Sequence, residues 1–206
     1  MTLKPCIDSH QSSPSDVTMS EEVRCFISID VEDPGILAKM SAVQESLARI
    51  GADLKIVDTG NVHVTLKFLG NVEEERLSEL KRALSHVKFS PFTLELKGVG
   101  AFPSLSRINV IWVGIGEGEA AVQSIFEQVE DQTASLGFRR EGRDFNAHIT
   151  VARARSGRMK EELAQFLRNQ GDESFGSFQS NRVRLKKSIL KPSGPQYSTL
   201  YEVLAS

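Results

Sequence analysis

Cysteine is scarce in this 206-residue chain. Cys6 and Cys25 are its two thiols, and they form no CxxC or zinc-like spacing. A secreted disulfide scaffold carries more. Two free thiols in a cytoplasmic protein are therefore expected. No apolar run approaches membrane-spanning length, so no membrane partner is expected. There is no Walker loop, no HExxH and no paired acidic metal site. Gly114-Ile115-Gly116-Glu117-Gly118 lacks the lysine and spacing of a phosphate loop and reads as a strand-to-helix turn. Neither sign of charge dominates, with 25 Lys+Arg against 27 Asp+Glu. The molecule as a whole is thus no polyanion binder. Hydrophobic residues at 40% and charged residues at 25% are those of an ordinary globular protein. The length is enough for a sizeable core.

One pattern occurs twice. His63-Val64-Thr65-Leu66 and His148-Ile149-Thr150-Val151 both read His, β-branched aliphatic, Thr, aliphatic. Random placement of threonine would give two such histidines in roughly one sequence in a hundred. A single HxT reads as a histidine hydrogen-bonded at a strand edge. A matched pair points elsewhere. Both motifs lie in strand-like stretches, and a strand turns successive side chains to opposite faces. His63 and Thr65 then share one face, as do His148 and Thr150. The aliphatic residues between them point into a core. By the same alternation Lys67 falls on the face of His63. Arg153 falls opposite His148 unless the strand bulges after Val151.

Residues 1 to 20 are polar, rich in serine and without periodicity, and are expected to be a disordered extension. They lack the apolar stretch of a signal peptide. Met19 is a candidate start, and His10 belongs to the tail. Strands are expected over 23–31, 54–57, 62–68, 92–99, 110–115, 147–152, 175–178, 183–190 and 197–203. Helices are expected over 34–50, 73–87, 119–136 and 158–169, and a loop over 100–106. His86 reads as a surface residue near a helix end. Each half holds a helix, a motif strand and another helix, a weak repeat about 85 residues apart. Two similar α+β lobes, each offering one histidine, are expected within one domain over 21–206.

Two imidazoles suit metal-free acid–base chemistry on a phosphodiester, because histidine titrates near neutrality. Thr65 and Thr150 supply hydroxyls to the phosphoryl oxygens, and Lys67 or Arg153 a cation. Residues 137–191 carry 13 Lys+Arg and 6 Asp+Glu, leaving 12 and 21 for the rest. A +7 segment around the second motif suits a phosphate-bearing ligand.

The chain resembles the LigT-like branch of the two-histidine phosphoesterases, the RNA 2′,3′-cyclic phosphodiesterases also called 2′-5′ RNA ligases. The likeness rests on Arg24-Cys25-Phe26-Ile27-Ser28-Ile29-Asp30 and on His63-Val64-Thr65-Leu66-Lys67-Phe68-Leu69-Gly70. It continues through Gly98-Val99-Gly100-Ala101-Phe102-Pro103, Val110-Ile111-Trp112-Val113-Gly114 and His148-Ile149-Thr150-Val151-Ala152-Arg153. It closes with Pro192-Ser193-Gly194-Pro195-Gln196-Tyr197. One departure is Ala147, where relatives often carry proline.

The resemblance implies a bilobal α+β fold, with antiparallel sheets facing a central cleft and helices outside. It implies no metal or other cofactor. It implies opening of a 2′,3′-cyclic phosphate at an RNA end, or on a nucleotide, to leave a 2′-phosphate. His63 would be the proton donor to the leaving oxygen and His148 the proton acceptor that activates water. No obligate protein partner is implied. Two other functions fit the same sequence: 2′-5′ ligation at the same site, and a non-catalytic RNA- or nucleotide-binding module of the same fold. Intact histidines and threonines in both motifs argue against the second.

Overall fold

The computed structural model describes residues 21–192 and 194–206. The expected tail, with Met19 and His10, lies outside them. Strand β1 (Glu22–Asp30) leads to helix α1 (Pro34–Arg49). Asp33 caps that helix by accepting from the Ile36 amide at 2.9 Å, worth about 1 kcal/mol, and Pro34 supplies a preset φ in its first turn. The buried stripe is Ile36, Met40, Gln44 and Leu47, at the spacing of one helix face. There follow β2 (Leu54–Ile56), β3 (His63–Glu73), α2 (Leu77–Leu84), β4 (Phe92–Ser104), β5 (Arg107–Ile115) and α3 (Glu119–Ala134). The chain closes with β6 (His148–Ala154), α4 (Lys160–Asn169), β7 (Ser174–Ser180), β8 (Arg182–Lys191) and β9 (Gly194–Leu204).

Several boundaries shift by one to five residues, and pairing explains the two largest changes. Residue 73 is strand rather than helix, because β3 stays in register with β1 as far as Glu22↔Glu73. Most of 100–106 is strand rather than loop. Gly100 to Ser104 pair with Trp112 to Arg107, so β4 and β5 form one long hairpin. Gly100 is needed there: a Cβ at this position would fall 2.3 Å from the Trp112 ring.

The strands form one antiparallel sheet in the order β7-β4-β5-β6-β3-β1-β8-β9, with β2 on β6. The expected bilobal α+β fold is present. The sheet of one lobe holds β1, β3, β8 and β9; that of the other holds β4 to β7. They join at a single pair, Val64↔Ile149. Val64, Leu66, Ile149 and Val151 are buried in a shared core with Met40, Leu47, Val122 and Ile125 of the helices. The histidines and threonines of the motifs are therefore left on the other face, toward the cleft.

Each motif strand carries a bulge just after its threonine, and β3 carries a second at Leu69. Along β3 the pairing steps from Ser28↔Thr65 to Ile27↔Lys67, so Leu66 is an extra residue. Along β6 it steps from Trp112↔Thr150 to Ile111↔Ala152, so Val151 is extra. A one-residue bulge reverses the face of the residues that follow it, as far as the next bulge. The bulges at Leu66 and Val151 follow the motif threonine directly. Both have a buried polar neighbour: Gln44 donates to the Val151 carbonyl at 3.0 Å, and Lys67 pairs with Glu130 of α3.

Candidate active site

The register at Val64↔Ile149 brings the four motif side chains onto one face. In an antiparallel pair, neighbours of a matched pair are matched crosswise. His63 thus lies across from Thr150, and His148 across from Thr65. Each histidine is only partly exposed. Each holds its Nδ1 2.7 Å from a backbone carbonyl two residues upstream, Asn61 O for His63 and Asn146 O for His148. A carbonyl only accepts, so each Nδ1 carries the hydrogen. In the neutral ring Nε2 is then the bare, proton-accepting atom. The lead-ins are braced separately. Asn61 Nδ2 donates to the Pro195 carbonyl at 3.1 Å. Phe145, two residues before Ala147, stacks on Phe126 of α3 with centroids 4.1 Å apart. That stacking holds the second approach without a proline.

A cleft of about 1120 Å³ opens beside these strands. His63, Thr65, Thr150 and Arg153 line it; His148 does not line this void itself, but stands two residues before Thr150 on β6, with Phe102 edge-on at 4.9 Å. The His63 ring packs against a pair of touching rings, Phe26 at 4.9 Å and Tyr197 at 5.5 Å. Arg24, Lys55 and Lys191 add positive charge to the wall, and Phe68, 61% exposed, adds an aromatic face.

The bulges decide the two cations. Arg153, expected on the far face unless the strand bulges, reaches the cleft because the bulge at Val151 turns it there. Lys67, expected beside His63 and Thr65, does not reach the cleft. The bulge at Leu66 turns it into the core, where it is 2% exposed. It pairs with Glu130 and donates to the Arg139 carbonyl at 2.9 Å. Phe68 takes the place on the cleft face.

Burial pushes both histidines below their ordinary pKa, but their neighbours differ. For His63, the Asn61 carbonyl and the Asp30 carboxylate push back up, while Lys186 and the charge of His148 push down. For His148, the Asn146 carbonyl pushes up and Arg153 pushes down. Asp30 lies opposite His63 in the β1–β3 register. Burial would raise its carboxyl, yet bonds from Lys186 (2.6 Å), Arg184 (2.9 Å) and Ser28 (2.8 Å) outweigh burial and hold it below the usual value. Among the described residues no group of three or more His, Cys, Asp or Glu is placed to hold a metal ion. No helix there is long and apolar enough to cross a membrane.

The model of the LigT like phosphoesterase family matches residues 30–112 and again 113–197, one motif in each match. The chain belongs to this family. Among relatives, the RNA 2′,3′-cyclic phosphodiesterase of Aeropyrum pernix is 39% identical over 171 residues, spanning 83% of this chain and 97% of that protein. The enzyme of the same name from Archaeoglobus fulgidus is 39% identical over 178 residues, spanning 86% and 98%. The LigT fold is evident in solved structures. Escherichia coli LigT complexed with 3′-AMP superposes with a TM-score of 0.73 at 22% identity, covering 90% of this chain and 99% of that one. The two matches do not follow the lobes: the first takes in β4 and most of β5, which flank β6, and the second takes in β8 and the start of β9, which lie beyond β1, so each lobe's sheet draws on both matched segments.

Several site neighbours lie outside the sequence-based expectations. Asn61 and Asn146 stand at the same offset in both motifs, so an N-x-H-x-T repeat is the signal that marks them. Asp30, Tyr197 and Phe102 carry no such signal, because only strand pairing brings them to the histidines.

Proposed function

We propose that this LigT-family chain is an RNA 2′,3′-cyclic phosphodiesterase. The observation that carries the reading is the pair of imidazoles, each oriented by an upstream carbonyl through Nδ1 and each facing a motif threonine across the β3–β6 junction. Relatives at 39% identity that bear this name support the substrate class. The catalytic unit is the single bilobal domain over 21–206, since both motif strands belong to one sheet. A buried free thiol at Cys25 suits a reducing compartment, and we place the enzyme in the cytoplasm.

His148 Nε2 takes a proton from water, and the oxygen attacks phosphorus. The bond from phosphorus to the 3′ oxygen breaks, and protonated His63 delivers its proton to that oxygen. The product is a 2′-phosphate beside a free 3′-hydroxyl. Burial lowers both histidines first of all, and one charged neighbour of each acts in the sense of this division of labour. Asp30 helps His63 hold a proton, whereas Arg153 discourages one on His148. Thr65, Thr150 and Arg153 meet the phosphoryl oxygens, a role supported by their position on the cleft wall. Lys67 acts from the core and not on the substrate.

The test is turnover of a 2′,3′-cyclic mononucleotide in EDTA, with the product identified by phosphorus NMR. A 2′-phosphate is expected at an undiminished rate. A 3′-phosphate would overturn the assignment of the leaving oxygen. Binding without turnover would leave a non-catalytic module. Loss of rate restored by a divalent ion would show a metal-dependent enzyme.

A further inference from the structure

A second pocket of about 360 Å³ lies between the β4–β5 turn and the connection from β6 to α4. Four cations line it: Arg107, Arg155, Arg158 and Lys160. No acid does, and none of the four forms an ion pair among the described residues. Four neighbouring positive charges without counter-charges repel one another, so they favour a polyanionic ligand. Ser106, Ser156 and Asn109 add hydrogen-bonding groups to the same wall.

The pocket and the cleft are separate, but they are lined by neighbouring residues of one strand. On β6, Thr150 and Arg153 line the cleft and Ala154 with Arg155 line the second pocket. Arg153 also lies opposite Lys55, another cleft cation, in the β2–β6 register. A basic track therefore leaves the cleft along the end of β6. From Thr150 to Arg155 the strand advances about 17 Å. A stacked strand advances only about 3.4 Å along its axis per nucleotide, so a few nucleotides span this distance. The pocket is thus too far out for the reacting phosphate and well placed for others of the same strand. A 2′,3′-cyclic phosphate is a 3′ terminus, so those others all lie on its 5′ side.

Resting on the function proposed above, we propose that this pocket binds internal phosphodiesters of the RNA upstream of the cyclic end. A cyclic mononucleotide is then turned over, but an oligonucleotide with the same end is the preferred substrate. Arg107 and Arg158 are specificity residues that never touch the reacting atoms.

The test compares the wild type with the Arg107→Gln/Arg158→Gln double variant. kcat/KM is measured against salt for a cyclic mononucleotide and for a single-stranded RNA of about ten nucleotides ending in a cyclic phosphate. The double variant should keep its activity on the mononucleotide and lose about tenfold on the oligomer. Its salt slope on the oligomer should flatten by about 0.7 for each phosphate that is no longer neutralised. Parallel losses on both substrates, or an unchanged oligomer rate and slope, would overturn the proposal. Should the wild type turn over neither substrate, the reading of the reaction fails instead. Fluorescence anisotropy with a 2′-phosphate-ended oligomer then decides the pocket: weaker, less salt-sensitive binding by the double variant supports it, and equal binding overturns it.

Discussion

Val64 lies directly opposite Ile149, and this pair is the single rung of the ladder between the two lobes' sheets. Both side chains are fully buried. Each sits between a histidine and a threonine of its motif, so the residues that join the lobes also set the spacing of the two imidazoles. His63→Ala and His148→Ala remove a ring from the opposite face and leave this seam intact. Each should therefore cost about a hundred- to ten-thousandfold in kcat with little change in thermal midpoint. Near-wild-type turnover by either folded variant would exclude two-histidine catalysis.

The pH profile should carry the mark of Asp30. Both histidines lie below the ordinary pKa. The base must be neutral, so kcat/KM rises as pH passes the lower apparent value. The acid must be protonated, so kcat/KM falls again as pH rises, and the optimum should lie on the acidic side of 6.5. The Asp30 carboxylate raises His63. Asp30→Asn removes that charge while keeping an amide for hydrogen bonds, and should move the descending limb to lower pH. The ascending limb should stay in place. A descending limb that does not move would separate Asp30 from the proton donor.

The histidines and threonines were legible because their positions depend only on period-two alternation before the bulge. Lys67 and Arg153 were not, although they lie just beyond. A bulge is a tertiary event with no fixed residue pattern. Here its buried neighbours, Gln44 and Glu130, come from helices α1 and α3, far away in sequence. The same limit applies to residues 100–104. Glycine and proline suggest a loop locally, and only pairing with Arg107 to Trp112 makes them strand. The repeat of helix, motif strand and helix is legible in each half; that β4–β5 join the sheet of β6 while β8–β9 join that of β1, and that the two sheets fuse at a single pair, is announced by no local pattern.

Thr65 and Thr150 separate catalysis from support. If their hydroxyls donate to phosphoryl oxygens, Thr→Val at either should lower kcat/KM by a hundredfold or more, the roughly 3 kcal/mol of a missing transition-state donor. Valine keeps the shape and the β-branching. Were the hydroxyls only to steady their strands, the thermal midpoint would fall and activity per folded molecule would hold. Both quantities measured on the same preparations distinguish these outcomes.

Lys67 should announce itself in stability. Its side chain and that of Glu130 are 1% and 5% exposed. Glu130 also accepts from the Glu141 amide at 3.1 Å, so the pair ties β3 and α3 to the segment leading toward His148. Removing one charge from a buried pair strands the other. Lys67→Met should therefore cost about 3–5 kcal/mol in denaturant unfolding. Replacing both, as Lys67→Met with Glu130→Leu, leaves no buried charge and should recover much of the loss, which an additive pair of single substitutions would not. A cost below about 1 kcal/mol for Lys67→Met is what an exposed ion pair gives. It would mean that the bulge at Leu66 does not hold this lysine in the core, and would return Lys67 to the cleft face as a candidate cation for the phosphate.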